Sequence, residues 1–365
     1  MPRRVVQMTS VHTLFDTRIY HKECRSLVMA GYDVTLIGPS STVRDDGYGV
    51  KLRIVSVPRN RHERMTKTIG EVYRAAVEED AEIYHFHDPE LMPIAMLLKL
   101  LGKKVIYDVH EDYGSTMRKQ WIPKPLQGIA SMTVRASEAT LGRACDRIVA
   151  ATPRIADLFQ AGMTSVVQNF PRSDEFDIEQ GQPYREREPI VAYVGYLADI
   201  RGLREMSEAI RLVNAEIPAK LLLAGKMISG MQSAAFCAGN QVEALGFLDR
   251  SHISKLLSRA KIGIVVYHPT PNYYPGQPTK LLEYMAAGLP VVASDFPFYR
   301  RVVESTGCGI LVNPLQPTKI AEALLWLLRN EEQASEMGRR GRQAVLERYN
   351  WEQEAKCLIS AYEAV

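Results

Sequence analysis

The chain has 365 residues, enough for two domains that each bury a core. Its 46% hydrophobic and 24% charged residues are the balance of an ordinary globular protein and exclude a disordered or low-complexity chain. A net charge of +3 is too small to argue for nucleic acid as a partner.

The first half alternates strand and helix. Arg4 to Thr9 reads as a strand, Thr17 to Ala30 as a helix stopped by Gly31, and Asp33 to Gly38 as a second strand. Val50 to Val57 is a third. Glu82 to His87 is a strand ending in His-Asp-Pro-Glu, followed by an apolar helix from Pro93 to Leu101 that Gly102 ends. Lys104 to Val109 returns as a strand, and a long helix fills Gln127 to Arg143. Asp146 to Ala151, Pro153 to Gln160 and Ser165 to Gln168 read as strand, helix and strand. Repeated units of this kind imply a parallel sheet covered on both faces.

Asn169 to Glu188 breaks the alternation. It is rich in charge, proline and glycine, as a linker is. The pattern then restarts with a strand at Ile190 to Gly195, a helix at Leu203 to Val213, and strands at Lys220 to Ala224 and Val242 to Leu245. A helix at His252 to Ser258 and a strand at Ile262 to Tyr267 follow. Next come a helix over Pro278 to Ala287, stopped by Gly288, and a strand at Val291 to Ser294. Helices over Thr318 to Arg329, Glu332 to Glu347 and Trp351 to Ala364 complete the chain. The expected architecture is α/β, with two Rossmann-like domains facing a central cleft. Their expected bounds are 1–170 and 189–349, with a linker at 171–188 and a last helix at 350–365.

Five scattered cysteines include no short-spaced pair, which excludes a local zinc knuckle and suits a reducing compartment. The basic N-terminal MPRRVVQMTS has no long apolar stretch, and no run is long and apolar enough to span a bilayer, so a cytoplasmic protein is expected. A nicotinamide fingerprint, a P-loop and a hydrolase nucleophile elbow are all missing.

The stretch that carries chemistry is Pro275 to Ser294, PGQPTKLLEYMAAGLPVVAS. It reads as the second half of a strand–helix–strand unit. A helix start offers unpaired N–H groups and a positive dipole end, which suit phosphate. Lys280 adds a charge, and Glu283 lies one turn on, where its carboxylate can accept from both hydroxyls of a ribose. The plain alternative is a surface helix with a solvated Lys and Glu.

This segment resembles the donor-site signature of the GT4 glycosyltransferases, which have the GT-B fold. In many members two glutamates stand eight positions apart before A-x-G-x-P-V-V. Glu283 matches the second, and Pro275 stands where the first would be. The resemblance extends along the chain. AYVGYLADIRG (192–202) resembles the G-R-L-x-x-x-K-G element, with Gly195 kept, Tyr196 in place of an arginine and Arg201 in place of a lysine. LLLAG (221–225), EALGFLD (243–249) and VVQNFP (166–171) resemble further elements of the family, and the Trp351 segment resembles the helix that crosses back to the first domain. TSVHTLFDTRIY (9–20) stands where most members have a glycine-rich loop, and resembles a subset of bacterial polysaccharide enzymes.

The resemblance implies a retaining transferase that moves a hexosyl group from a nucleotide diphosphate sugar, with UDP favoured over GDP, to a glycan or lipid-linked hydroxyl. No separate cofactor and no metal are expected. Arg201 and Lys280 would stabilise the departing diphosphate, together with backbone amides of Thr279, Leu281 and Leu282. Glu283 would hold the ribose, Phe247 and Leu248 the base, and Gly195, Gly276 and Gln277 would complete the donor site. His110, in YDVHEDY, would serve the reacting region. Asp16, Arg18 and Glu111 are candidates for the acceptor side; Asp16 is equally readable as a helix cap and Arg18 as a solvated charge. His85 and His87 read as structural. Arg59 to Lys67 and Arg118 to Arg135, with Trp121 and Ile122, offer basic and aromatic residues to an anionic membrane, although a solvated charged face explains them as well. A GT-B nucleotide-sugar epimerase and a binding protein without turnover remain open alternatives.

Overall fold

The computed structural model describes residues 2–42, 47–116, 124–176, 182–228, 240–271 and 273–365. Trp121 and Ile122 lie outside them. Contacts divide the chain into two units, Met1–Asn169 with Trp351–Val365, and Phe170–Asn350. No described helix is long and apolar enough to cross a membrane.

The first unit is built on β1 (Arg4–Met8), β2 (Asp33–Pro39), β3 (Lys51–Val55), β4 (Ile83–Phe86), β5 (Lys104–Val109), β6 (Arg147–Ala150) and β7 (Thr164–Val166). These form one seven-stranded sheet in the order β3-β2-β1-β4-β5-β6-β7, with every pair parallel. Side chains alternate across a strand, so each strand feeds two cores. Val6, Met8, Tyr84, Phe86, Val105 and Tyr107 enter one core, while Val5, Ile83, Ile106 and Val149 enter the other. The second core is covered by Ile19, Tyr20, Cys24 and Leu27, and by Trp351, Leu358, Ala361 and Tyr362 of the last helix, Trp351–Glu363. On this same face the strands turn polar towards their carboxyl ends, where Gln7, His85 and Asp108 follow Val5, Ile83 and Ile106.

The second unit is built on β8 (Ile190–Val194), β9 (Lys220–Ala224), β10 (Val242–Gly246), β11 (Ile262–Val265), β12 (Val291–Ser294) and β13 (Gly309–Val312). Its six-stranded parallel sheet has the order β10-β9-β8-β11-β12-β13. The central strands β8, β11 and β12 are buried on both faces, which is why they read as continuous apolar runs.

Most expected elements are present within a residue or two. Among those not expected are the helices Ile69–Glu79 and Pro297–Thr306, and β13. The Thr17 to Ala30 helix is present as Ile19–Met29, and its first six residues, Ile19–Cys24, take the wider π geometry. Inside Asn169 to Glu188, Phe170 and Phe176 are buried in the core of the second unit.

Candidate functional site

In each sheet the chain reverses direction beside its first strand, between β1 and β4 and between β8 and β11. Ligand crevices form beyond the carboxyl ends of strands at such reversals.

In the second unit, Gly195 directly follows β8 and Gly225 directly follows β9. A Cβ on Gly225 would stand 1.8 Å from the Gly195 carbonyl oxygen, so only glycine permits this approach. Arg201 follows in the short turn Asp199–Arg201. It is half-buried, and its Nε donates to the Tyr273 hydroxyl at 3.1 Å. Its guanidinium lies 5.4 to 5.6 Å from the ring centroids of Tyr196, Tyr267 and Tyr273. No carboxylate pairs with Arg201 among the described residues. Tyr196 therefore supplies no cation of its own; its ring flanks the neighbouring one.

After β11 comes the helix Thr279–Ala286. Pro278 sits just outside it rather than in its first turn, and no side chain caps the start. Leu281 to Ala286 are all buried, Glu283 included. Lys280 Nζ lies 2.8 Å from Glu283 Oε2, and Arg250 Nη1 lies 3.3 Å from Oε1. Arg250 also pairs with Glu175. The Lys–Glu pair is thus not a solvated surface pair: the Glu283 side chain is 8% exposed. Phe247 is 71% exposed with Lys226 over its ring, whereas Leu248 is half-buried against the core. Gly276 and Gln277 are half-buried in the loop before the helix, where Gly276 N–H donates to Tyr273 O at 3.0 Å.

The first unit holds a dense set of titratable groups at its reversal. Asp88 Oδ2 accepts from Thr9 Oγ1 and Ser10 N–H, both at 2.7 Å. Asp16 caps the first helix, its Oδ1 accepting from the N–H groups of Arg18 at 2.8 Å and Ile19 at 3.0 Å. Against the cost of burial, His12 and these N–H groups hold Asp16 well below the usual carboxylate range. Burial alone would lower the His12 imidazole, but the Asp16 and Asp88 carboxylates, 3.6 and 3.7 Å away, raise it above its ordinary value.

Arg18 corrects the sequence reading. It is not a solvated charge: at 4% exposure it grips Asp108 through two bonds of 3.0 Å, contacts Glu23 at 2.8 Å and donates to Val167 O at 2.8 Å. Burial drives the Glu23 carboxyl well above its usual range, with the Asp108 charge adding to the shift. Asp108 goes the other way: burial opposes its charge, but Arg18 and His110 hold it well below. Burial likewise lowers His85, and lowers His87 to about 4. Burial and the Asp108 charge thus favour the neutral form of Glu23, while Arg18 favours the charged form of Asp108. Glu23, His85, His87 and Asp108 offer ligand atoms within 4.8 Å of one another. The Arg18 guanidinium already supplies the positive charge these carboxylates face, and a dication beside it would be repelled. His110 joins the cluster at its outer end, and Glu111 is exposed.

Sequence reasoning missed His12, Arg250 and Tyr273. His12 stands four residues before Asp16, a spacing that pairs them across one turn. Arg250 directly follows EALGFLD, and Tyr273 lies in the loop before the donor-type helix; neither position carries a pattern of its own.

The two parallel units with their reversal points are those of a GT-B protein, and solved structures agree. Sucrose-phosphate synthase from Thermosynechococcus elongatus superposes with a TM-score of 0.72 at 18% identity, covering 99% of this chain and 98% of that one. Anabaena HepE, solved with UDP and glucose, superposes with a TM-score of 0.75 at 13% identity over 100% of both chains. Residues 8–170 match the family model Glycosyltransferase Family 4, and residues 174–344 match glycosyl transferases group 1. The chain belongs to the GT4 glycosyltransferases. It is 23% identical over 232 residues to the MMP alpha-(1->4)-mannosyltransferase of Mycolicibacterium hassiacum, which is 60% of this chain and 55% of that protein. The chain spans about half, or less, of the length of the leading curated relatives it matches.

Proposed function

We propose that the protein transfers a hexosyl group from a nucleoside diphosphate sugar, UDP-linked by preference, to a hydroxyl of a glycan or lipid-linked acceptor, with retention at the anomeric carbon. The observation that carries this reading is Arg201, a half-buried guanidinium at the end of β8 whose neighbours are phenols and which no described carboxylate neutralises. The uncapped start of Thr279–Ala286 adds open N–H groups after the adjoining strand β11. Two anionic phosphates suit such donors, and the charge they gain as the glycosidic bond breaks is stabilised there without a metal. When the nucleotide enters, its ribose hydroxyls donate to Glu283, and Lys280 turns from Glu283 to the phosphates. Phe247 and Leu248 contact the base. His110 serves the transferred sugar.

Calorimetry with UDP, GDP and ADP tests this. UDP is expected to bind most tightly, and Glu283→Ala to weaken it by about 10- to 100-fold, the loss of one or two hydrogen bonds to a charged acceptor. If no nucleotide binds, the reading fails. Turnover of a UDP-sugar without any acceptor would point instead to an epimerase.

A further inference from the structure

His110 is the outermost member of a buried chain of polar groups. Its Nε2 lies 3.1 Å from Asp108 Oδ2 and 3.2 Å from His87 Nδ1. His87 Nε2 meets Gln7 Oε1 at 2.5 Å, Gln7 Nε2 donates to the Tyr362 hydroxyl at 3.1 Å, and that hydroxyl meets His85 Nδ1 at 2.7 Å. Asp108 is buried between Arg18 and the two imidazoles and is ionised. A carboxylate only accepts, so the His110 nitrogen facing it carries the proton. With the Gln7 amide nitrogen turned to Tyr362, its Oε1 accepts from His87 Nε2–H, and the lone pair of His87 Nδ1 is then a second acceptor for His110 Nε2–H. In the neutral ring, Nδ1 of His110 is then the nitrogen with the lone pair. Nδ1 has no partner among the described residues, and the His110 side chain is 14% exposed while those of His87 and Asp108 are fully buried.

We propose that Asp108, gripped by Arg18, is a positioning residue that fixes His110 as the Nε2–H tautomer, so that Nδ1 accepts a hydrogen bond from a hydroxyl of the substrate. The inference rests on the reading of His110 as a residue that touches the transferred sugar. It narrows that contact: a lone-pair nitrogen recognises the O–H of a sugar, whereas a phosphate oxygen would need Nδ1–H. The rest of the chain, from His87 through Gln7 to Tyr362, seats the buried side of the ring.

The full-length protein labelled with ¹⁵N-histidine gives the direct test, through two-bond ¹H–¹⁵N correlations at neutral pH. The eight histidines are distinguished by the signals that vanish in His110→Gln. The expected pattern is a protonated Nε2 and an unprotonated Nδ1 at His110; the reverse pattern overturns the inference even if the protein transfers sugar. In Asp108→Asn the side chain carries an N–H donor as well as an oxygen and has no charge, so it no longer fixes the proton on His110 Nε2. Turnover should fall about 10- to 100-fold, the scale of a lost hydrogen bond that leaves its polar partners unpaired, with UDP affinity unchanged. Glu23→Gln, which meets Arg18 but does not bond His110, should keep both tautomer and turnover. Equal losses in the two variants would reduce Asp108 to a structural ion pair and overturn the inference. If Asp108→Asn does not fold, the labelled unaltered protein still decides. A protein that binds no nucleotide yet shows the expected tautomer would sink the function and leave this assignment standing.

Discussion

Single residues in this protein carry charge states that only burial explains. Glu138 is the clearest case outside the candidate site. It lies 8% exposed on the helix Lys124–Gly142 and accepts from the Tyr107 hydroxyl at 2.6 Å. Burial pushes its carboxyl from 4.5 up to about 7. A carboxyl with a raised folded value binds its proton more tightly in the folded chain than in the unfolded one. Its contribution is therefore fully present below pH 4.5, is lost as pH rises through about 7, and is flat above that. A shift of this size corresponds to about 3 kcal/mol at most between the two ends of the window. Glu138→Gln keeps an acceptor for Tyr107 and removes the titration. Denaturant unfolding at pH 5 and pH 8 should show the variant gaining stability relative to the unaltered protein at the higher pH. An identical pH slope in both proteins would mean that Glu138 is hydrated and ordinary.

At the scale of elements, the site is placed by turns that tolerate only glycine. Gly202 has φ +78° between the Asp199–Arg201 turn and the helix Leu203–Val213, and a Cβ there would stand 2.1 Å from the Val266 carbonyl oxygen. Gly31 has a similar φ of +91° but open space around it. Gly31→Ala should cost about 1 kcal/mol, the price of the left-handed backbone alone, and leave nucleotide binding intact. Gly202→Ala adds overpacking, for a total of about 2–4 kcal/mol, and displaces Arg201. Urea unfolding paired with UDP titration separates the two; equal effects on both readouts would remove the special part given to this turn. The same elements show what the sequence discloses. Buried parallel strands are legible because Val, Ile and Leu run on unbroken in them, and the Pro275 to Ser294 unit is legible because its breakers bracket it. The helix Ile69–Glu79 buries only Val72 and Ala76, too thin a stripe to read. Pro297–Thr306 hides Phe298, Tyr299, Val302 and Val303 among arginines, and β13 is an edge strand with only Val312 buried. The site divides in the same way. Lys280 and Glu283 are a local pair, whereas Arg18, Glu23, His87 and Asp108 meet only because β1, β4 and β5 are neighbours and the first helix crosses their ends. Residues so distant in sequence share no spacing that could betray the contact, so Arg18 reads as a surface charge until the fold is known.

At the scale of the molecule, the last helix is the informative feature. Trp351–Glu363 follows the whole second unit in the chain yet belongs to the first. Its Trp351 Nε1 donates to Ser26 Oγ at 2.9 Å, Glu354 accepts from Gln168 N–H at 2.7 Å, and the Tyr362 hydroxyl enters the polar chain beneath His110. The second core of the first unit is therefore closed by residues that a ribosome makes after the whole second unit, so the first unit cannot complete its packing until the second has been synthesised. This predicts where damage will appear. Trp351→Ala removes a buried aromatic and orphans the Ser26 hydroxyl, a loss of about 3–5 kcal/mol. The loss should be felt through Val5, Leu27, Val34 and Ile83, which line that core, and not through Thr279–Ala286. Hydrogen exchange read peptide by peptide resolves the difference. Protection in β1, β2 and β4 should fall in the variant, while peptides spanning β11 and the following helix keep theirs and gain more on addition of UDP. Exchange that rises equally in Phe170–Asn350 would show that Trp351 stabilises the chain as one cooperative body, and the assignment of the helix to the first unit alone would have to be given up.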